Sequence, residues 1–190
     1  MTESSAEGAE LQVDRLYELH AASVLAFAIR RAPDVASAED VMAETFAIAW
    51  RRREVLPEQE LPWLYSIALN VLSNQRRSRG RRFRLLGKIQ QEVVPFGRDP
   101  AEMVEGRDAI RAAFQALSEG QREVIRLAFW EDLSPDEAAA VLGCSPGAYR
   151  VRLHRARAAL AKHLDASEHL AADAQELGRS MTDPNSQEAR

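Results

Sequence analysis

Between residues 145 and 157 the chain carries Ser145, Gly147, Arg150, Arg152, His154, Arg155 and Arg157, with Val151 among them and no acid. Guanidinium groups donate pairs of hydrogen bonds to phosphates and to the O6/N7 edge of guanine, so this set is suited to gripping and reading a nucleic acid. A second set combines Asn70 and Asn74 with Arg76, Arg77, Arg79, Arg81, Arg82 and Arg84, amides and cations that suit phosphates and exposed base edges. A third is acidic: Asp40 and Glu44 stand four residues apart, the spacing of one helix face, with Thr45 and Trp50 beyond them. Carboxylates so placed serve a protein partner or a solvated surface. Acid-base or metal chemistry from Glu39, Asp40 and Glu44 is not expected, because no histidine, glycine-rich phosphate loop or nucleophile motif accompanies them. His20, His154, His163 and His169 never reach a zinc spacing. Neither a metal, a cofactor nor enzymatic activity is expected.

The elements that position these sets have the helical period throughout, so the fold class is all-α. A first helix spans about 13–31, with Leu16, Leu19, Val24 and Phe27 apolar, and stops at Pro33. The second begins near Ser37, with Glu39 and Asp40 expected in its first turn, and ends on Arg51, Arg52 and Arg53. Its apolar positions include Val41, Met42, Phe46, Ile48, Ala49 and Trp50. Pro57 and Pro62 bracket a short loop; after it Trp63, Leu64, Ile67, Ala68, Val71 and Leu72 form the buried stripe of a third helix. Trp50 and Trp63, on apolar stripes, are expected in the core rather than at a base.

From residue 84 to 106 stand three of the nine glycines, two of the eight prolines and no apolar period, the marks of a linker. Ile110, Ala113, Phe114 and Leu117 then share a face. Ser118 with Gln121 makes a capping box for a helix bearing Val124, Ile125, Leu127, Ala128 and Phe129. Ser134-Pro135-Asp136-Glu137 repeats the device, Gly143 ends that helix, and Ser145-Pro146 opens the arginine-rich one, which is expected to run to about 163. The stretch 134–157 therefore has the spacing of a helix-turn-helix, with Ala139 small enough for close helix approach, and Tyr149 and Leu153 inward. Cys144 follows the turn glycine and is expected to be a small buried hydrophobe.

The chain has 190 residues, 46% hydrophobic and 28% charged, an ordinary globular composition. A polar, acidic first decapeptide and the lack of a membrane-length apolar run predict a cytoplasmic protein without membrane insertion; the single cysteine excludes an internal disulfide. The net charge of −4 conceals segregation: 3 basic and 9 acidic residues in 1–50, 10 and 3 in 51–90, 5 and 11 in 91–147, 5 and none in 148–163, 2 and 6 in 164–190. Two basic patches between acidic ones predict two polyanion contacts.

These blocks resemble the RNA polymerase sigma factors of the sigma-70 family. Ala38-Glu39-Asp40, Glu44-Thr45-Phe46 and Ala49-Trp50 stand at the family's spacing; residues 62–70, PWLYSIALN, are similar to its next block, and 117–160 to its C-terminal DNA-binding region. The linker is too short for a further domain, which resembles the extracytoplasmic-function (ECF) type. The resemblance implies region 2 (11–84), a flexible linker (85–105) and region 4 (106–165); outside it stand an N-terminus (1–10) expected to be disordered and a C-terminal tail (166–190), longer than the minimal form requires, that is either disordered or a regulatory extension, composition favouring the first. It implies core polymerase contact, through the β′ and β subunits, at Asp40, Glu44, Thr45 and Trp50. Minus-10 DNA contact is implied at Asn70, Asn74, Arg76, Arg77 and Arg79, with the loop 56–61 trapping unpaired bases, and minus-35 contact at Ser145, Gly147, Arg150, Arg152, His154, Arg155 and Arg157. An anti-sigma factor is implied as a further partner, beside core polymerase and promoter DNA.

Two residues depart from the family's pattern: Tyr149 stands where a small β-branched residue is usual, so the ring either lifts the recognition helix or reaches DNA, and Ala148 lacks the usual hydroxyl. A free-standing helix-turn-helix regulator shares the pattern of 118–160 but leaves the Ala38 to Trp50 block unexplained. An interaction protein binding only other proteins is a further alternative.

Overall fold

A computed structural model describes residues 3–54, 56–85 and 107–181. Among them are seven helices and no strand: α1 Glu3–Ile29, α2 Val35–Arg51, α3 Glu60–Leu85, α4 Arg107–Ala116, α5 Glu119–Phe129, α6 Pro135–Val141 and α7 Pro146–Met181. The all-α expectation holds. Of the expected linker only Leu85 falls among the described residues, as the last residue of α3.

Two compact units form. The first contains α1, α2 and α3, and residues 133–146, expected with the second domain, also pack with it. There α6 meets α3, its face of small side chains, Ala138, Ala139 and Val141, buried. The second unit contains α4, α5 and the chain from Gly147.

In the first unit α1, α2 and α3 pack against one another. Leu16, Val24, Phe27 and Ala28 of α1 meet Ala38, Val41 and Ala49 of α2 and Leu64, Tyr65 and Ala68 of α3 as one buried set. The Phe27 ring stacks on Tyr65, centroids 4.3 Å apart, and the Arg31 guanidinium lies 3.4 Å from the Phe27 centroid. Burying each large apolar side chain stabilises the fold by about 1.5–3 kcal/mol. In the second unit Ala113, Phe114, Leu117, Val124, Ile125 and Leu127 are buried. A charged cluster closes its side: Arg122 bonds Glu119 at 2.9 Å, and Arg126 reaches Glu119 at 3.4 Å and Glu123 at 3.7 Å.

Four element boundaries differ from the sequence expectation, each for a local reason. The first helix starts at Glu3, so residues 3–10, expected to be disordered, are helical; Ala6, Glu7, Ala9 and Glu10 favour helix, and the acids suit its N-terminal dipole. The second starts at Val35, because Asp34 caps it by accepting the Ser37 amide at 2.7 Å, which moves Glu39 and Asp40 out of the first turn. Pro62 lies inside the first turn of α3 rather than in a loop, where its missing N–H has no intrahelical partner to lose. The last helix continues to Met181: residues 164–181 hold no proline, and Gly178 alone costs only about 1 kcal/mol against alanine.

Candidate nucleic-acid interface

The segment opening the arginine-rich helix is built by local rules. Ser134 accepts the Glu137 amide at 3.3 Å and donates its own N–H to the Glu137 carboxylate at 2.8 Å, with Pro135 at the first helical position. Hydrogen bonding to the carboxyl, from the Ser134 hydroxyl first and the Ser134 amide second, holds Glu137 below its ordinary pKa. After α6 the chain turns at Gly143, which adopts φ +59°, the left-handed region that a side chain disfavours, and Cys144 N–H donates to the Ala139 carbonyl at 3.0 Å. Cys144 itself is half-buried rather than buried.

Every residue of the first set is at the surface: Ser145, Gly147, Arg150, Arg152, His154, Arg155 and Arg157, with Val151 beside them, are all exposed. Ala156 is fully buried and Tyr149 nearly so, which fixes the inward side of α7. The Tyr149 ring therefore does not reach outward to a ligand.

The second set divides. Asn70, Asn74, Arg77 and Arg81 are exposed, and their spacing of 4, 3 and 4 places them in one row along α3. Arg76 and Arg79, expected in the same contact, turn to the opposite side and are half-buried. Arg76 Nη2 donates to the Arg31 carbonyl at 3.3 Å, and Arg79 Nη2 to Ser37 Oγ at 3.5 Å. The Asp34 carboxyl nearby is held below its ordinary pKa by the Ser37 amide, then by the Ser37 hydroxyl, with Arg79 adding attraction. In the expected base-trapping loop, residues 56–59 are irregular, Glu58 and Gln59 are exposed, and Glu60 already belongs to α3, where it meets His20 Nε2 at 3.3 Å.

The third set divides too. Asp40 and Glu44 are exposed on α2. Thr45 is fully buried and its hydroxyl donates to the Val41 carbonyl at 2.7 Å, so it packs α2 and leaves the contact set. Trp50 is 37% exposed with the Arg53 guanidinium 4.9 Å from its ring centroid, which corrects the expectation of a core tryptophan; Trp63 is half-buried.

One surface escaped the sequence. Phe129 is 61% exposed, Trp130 41% and Ile110 55%, although helical periodicity marked Phe129 and Ile110 as core. The Trp130 ring meets Phe114 and Phe129 edge-on at 6.1 and 6.4 Å, and Arg157 lies 5.4 Å from the Phe129 centroid. The only sequence signal was adjacency: two aromatics at a helix end cannot both face one core.

Among the described residues no group of histidine, cysteine and acidic side chains could hold a metal, and no helix is long and apolar enough to cross a membrane.

Comparison with known proteins bears on both units. Residues 16–82 match the family model of sigma-70 region 2, and residues 107–160 that of sigma-70 region 4. The chain is 36% identical over 164 residues to the ECF RNA polymerase sigma factor SigL of Mycobacterium tuberculosis, covering 83% of this chain and 92% of that one. It is 29% identical to the RNA polymerase sigma-E factor of Streptomyces coelicolor, covering 83% and 88%. Among solved structures it is similar to the sigma factor RpoE in complex with the anti-sigma factor NepR from Bartonella quintana, with a TM-score of 0.65, 28% identity and coverage of 80% and 96%. CnrH in complex with the cytosolic domain of CnrY matches at a TM-score of 0.59, 28% identity and coverage of 86% and 94%.

Proposed function

The chain belongs to the ECF branch of the sigma-70 family and acts in promoter-directed transcription initiation, and from that premise we propose which of its surfaces does what. The supporting observation is the sorting of exposed charge: cations and amides in one row on α3, cations on α7, and acids on α2.

On α7, Arg150, His154 and Arg157 share one face with Gly147 near the helix start and read the minus-35 element in the major groove, while Arg152 and Arg155, on other faces, and Ser145 meet its flanks. Guanidiniums there serve both base edges and flanking phosphates. The α3 row of Asn70, Asn74, Arg77 and Arg81 holds the minus-10 strand once it is unpaired, amides reading base edges and guanidiniums neutralising the backbone, with residues 56–59 beside the extruded bases. Asp40, Glu44 and Trp50 dock α2 on the β′ subunit of core polymerase. The exposed aromatic pair Phe129 and Trp130 takes the β subunit, since adjoining exposed aromatics have the composition of a protein interface. All of this is binding energy, with no covalent step, exerted in the cytoplasm.

An overall charge of −4 disfavours free DNA, so that the two basic surfaces act at a promoter only when polymerase holds both. A structural relative is complexed with an anti-sigma factor, and a partner of that kind covers these surfaces here.

The docking assignment is tested by core-polymerase binding of the triple variant D40A/E44A/W50A, followed by fluorescence anisotropy. Loss of about tenfold or more in affinity is expected if these exposed side chains form the anchor. Wild-type affinity would overturn it.

A further inference from the structure

After Leu72, as far as Arg81, the described part of α3 carries no buried apolar residue, although its DNA-facing row continues. Among the residues of α3 whose burial is described, which end at Arg81, Leu72 is the last buried one, and Arg77 and Arg81 lie five and nine residues further on, the latter about 13.5 Å along the axis at 1.5 Å per residue. A helix end that projects beyond its core frays or swings unless something lateral holds it. Two lateral ties are present, and both are made by arginines that charge alone would count as DNA contacts. Arg76 donates to the Arg31 carbonyl, just beyond the end of α1, and Arg79 donates to Ser37 in the first turn of α2.

The anchoring points are themselves fixed. Arg31 is buried; its guanidinium bonds the Phe27 carbonyl at 2.9 Å and lies over the Phe27 ring, which stacks on Tyr65 of α3. Ser37 is held by Asp34, whose side chain caps α2. The α1–α2 corner is thus rigid on both sides, and α3 is pinned to each side by one guanidinium. Asp40 and Glu44 lie on the same α2, one and two turns beyond Ser37.

We propose that Arg76 and Arg79 are positioning residues, which tie the DNA-facing half of α3 to the α1–α2 corner so that the polymerase-docking helix and the strand-holding helix move as one body. This rests on the assignment of α2 and α3 above. The ties orient Asn70, Asn74, Arg77 and Arg81 without touching DNA, and they transmit polymerase docking to the minus-10 strand.

The test uses holoenzyme assembled from full-length chain and core polymerase, with a fluorescent single-stranded minus-10 oligonucleotide titrated over a range of salt concentrations. R77Q removes a phosphate contact, and the slope of log affinity against log salt falls in magnitude by about 0.7, the single-strand value for one contact. R76Q and R79Q each weaken binding about tenfold, the loss of one charge-assisted hydrogen bond, with the wild-type slope retained. S37A removes no charge yet weakens binding as R79Q does; the S37A/R79Q double variant is no worse than R79Q alone, and R79K restores part of the loss. A slope for R79Q reduced as far as that of R77Q would overturn the proposal by placing Arg79 on phosphate. Additive losses in the double variant, or wild-type binding by S37A, would overturn it by removing the tie. Failure of the wild-type holoenzyme to bind the strand, or an unchanged slope for R77Q, would instead overturn the surface assignment on which it rests, and the tie's role with it.

Discussion

Along α7, Arg150, Arg152, Arg155 and Arg157 are all exposed, whereas along α3 the guanidiniums divide, Arg77 and Arg81 toward solvent and Arg76 and Arg79 toward the α1–α2 corner. The two stretches look alike in composition, and both would be scored as DNA-binding by charge. What separates them is what lies behind the helix. Behind α7 in the recognition segment stand Tyr149 and Ala156, buried and without a charge. Behind the end of α3 stand the carbonyl of Arg31 just past the end of α1 and the side-chain hydroxyl of Ser37 in the first turn of α2, two acceptors that a guanidinium can satisfy. An arginine count is therefore an upper bound on phosphate contacts, and the acceptors on neighbouring helices set how far below it the true number falls.

The contrast can be broken most forcefully at the column behind α3. Phe27→Ala removes the ring between Arg31 and Tyr65 and should cost about 3–5 kcal/mol of stability, read by denaturant unfolding. A loss below 1 kcal/mol would mean that the column does not organise the first unit. On the other helix, Arg150→Ala should cost about 1–3 kcal/mol in use of the minus-35 element where the side chain reads a guanine. Competition between promoters differing at single upstream bases measures this, and unchanged selectivity would remove Arg150 from the readers.

A smaller effect is expected at the start of the short helix that precedes the arginine-rich one. Ser134→Ala deletes a capping box and should lower stability at neutral pH by about 1 kcal/mol. The pH dependence has a definite sign. The folded Glu137 carboxyl lies below its unfolded value, so its contribution is present above the ordinary glutamate range and is lost as pH falls through the lower, folded value. The gap between the wild type and S134A should accordingly narrow as pH falls below about 4, near the ordinary glutamate value, while the Ser134 hydroxyl's bond to the Glu137 amide, which does not titrate, keeps part of it. A gap that persists undiminished into acid would show that the cap acts without the carboxylate.

Much of this was legible in the sequence because the signals are local. Ser118 with Gln121, Ser134 with Glu137, Pro135 and Gly143 each fix a boundary within four residues, and each is found in its expected geometry. The exposed face of α7 with Arg150, His154 and Arg157 follows from period alone, once Tyr149 and Ala156 mark the inward side. What was not legible depends on distant chain. Arg76 and Arg79 find partners 45 and 42 residues away, which no periodicity announces. Thr45 carries a polar label but satisfies its hydroxyl on its own helix, so it packs as an apolar residue would. Phe129 and Ile110 carry apolar labels but stand at a surface, because the apolar pattern does not tell a core from an interface.

The most direct measurement is run-off transcription by purified core polymerase on fragmented DNA from the protein's own source, with and without the protein, beside a duplex-binding assay of the protein alone. The assignment of the two basic surfaces predicts new discrete starts sharing two upstream elements, and weak, salt-sensitive binding to DNA in the absence of polymerase. Tight, sequence-specific duplex binding by the free protein, with no new starts when polymerase is present, would contradict it.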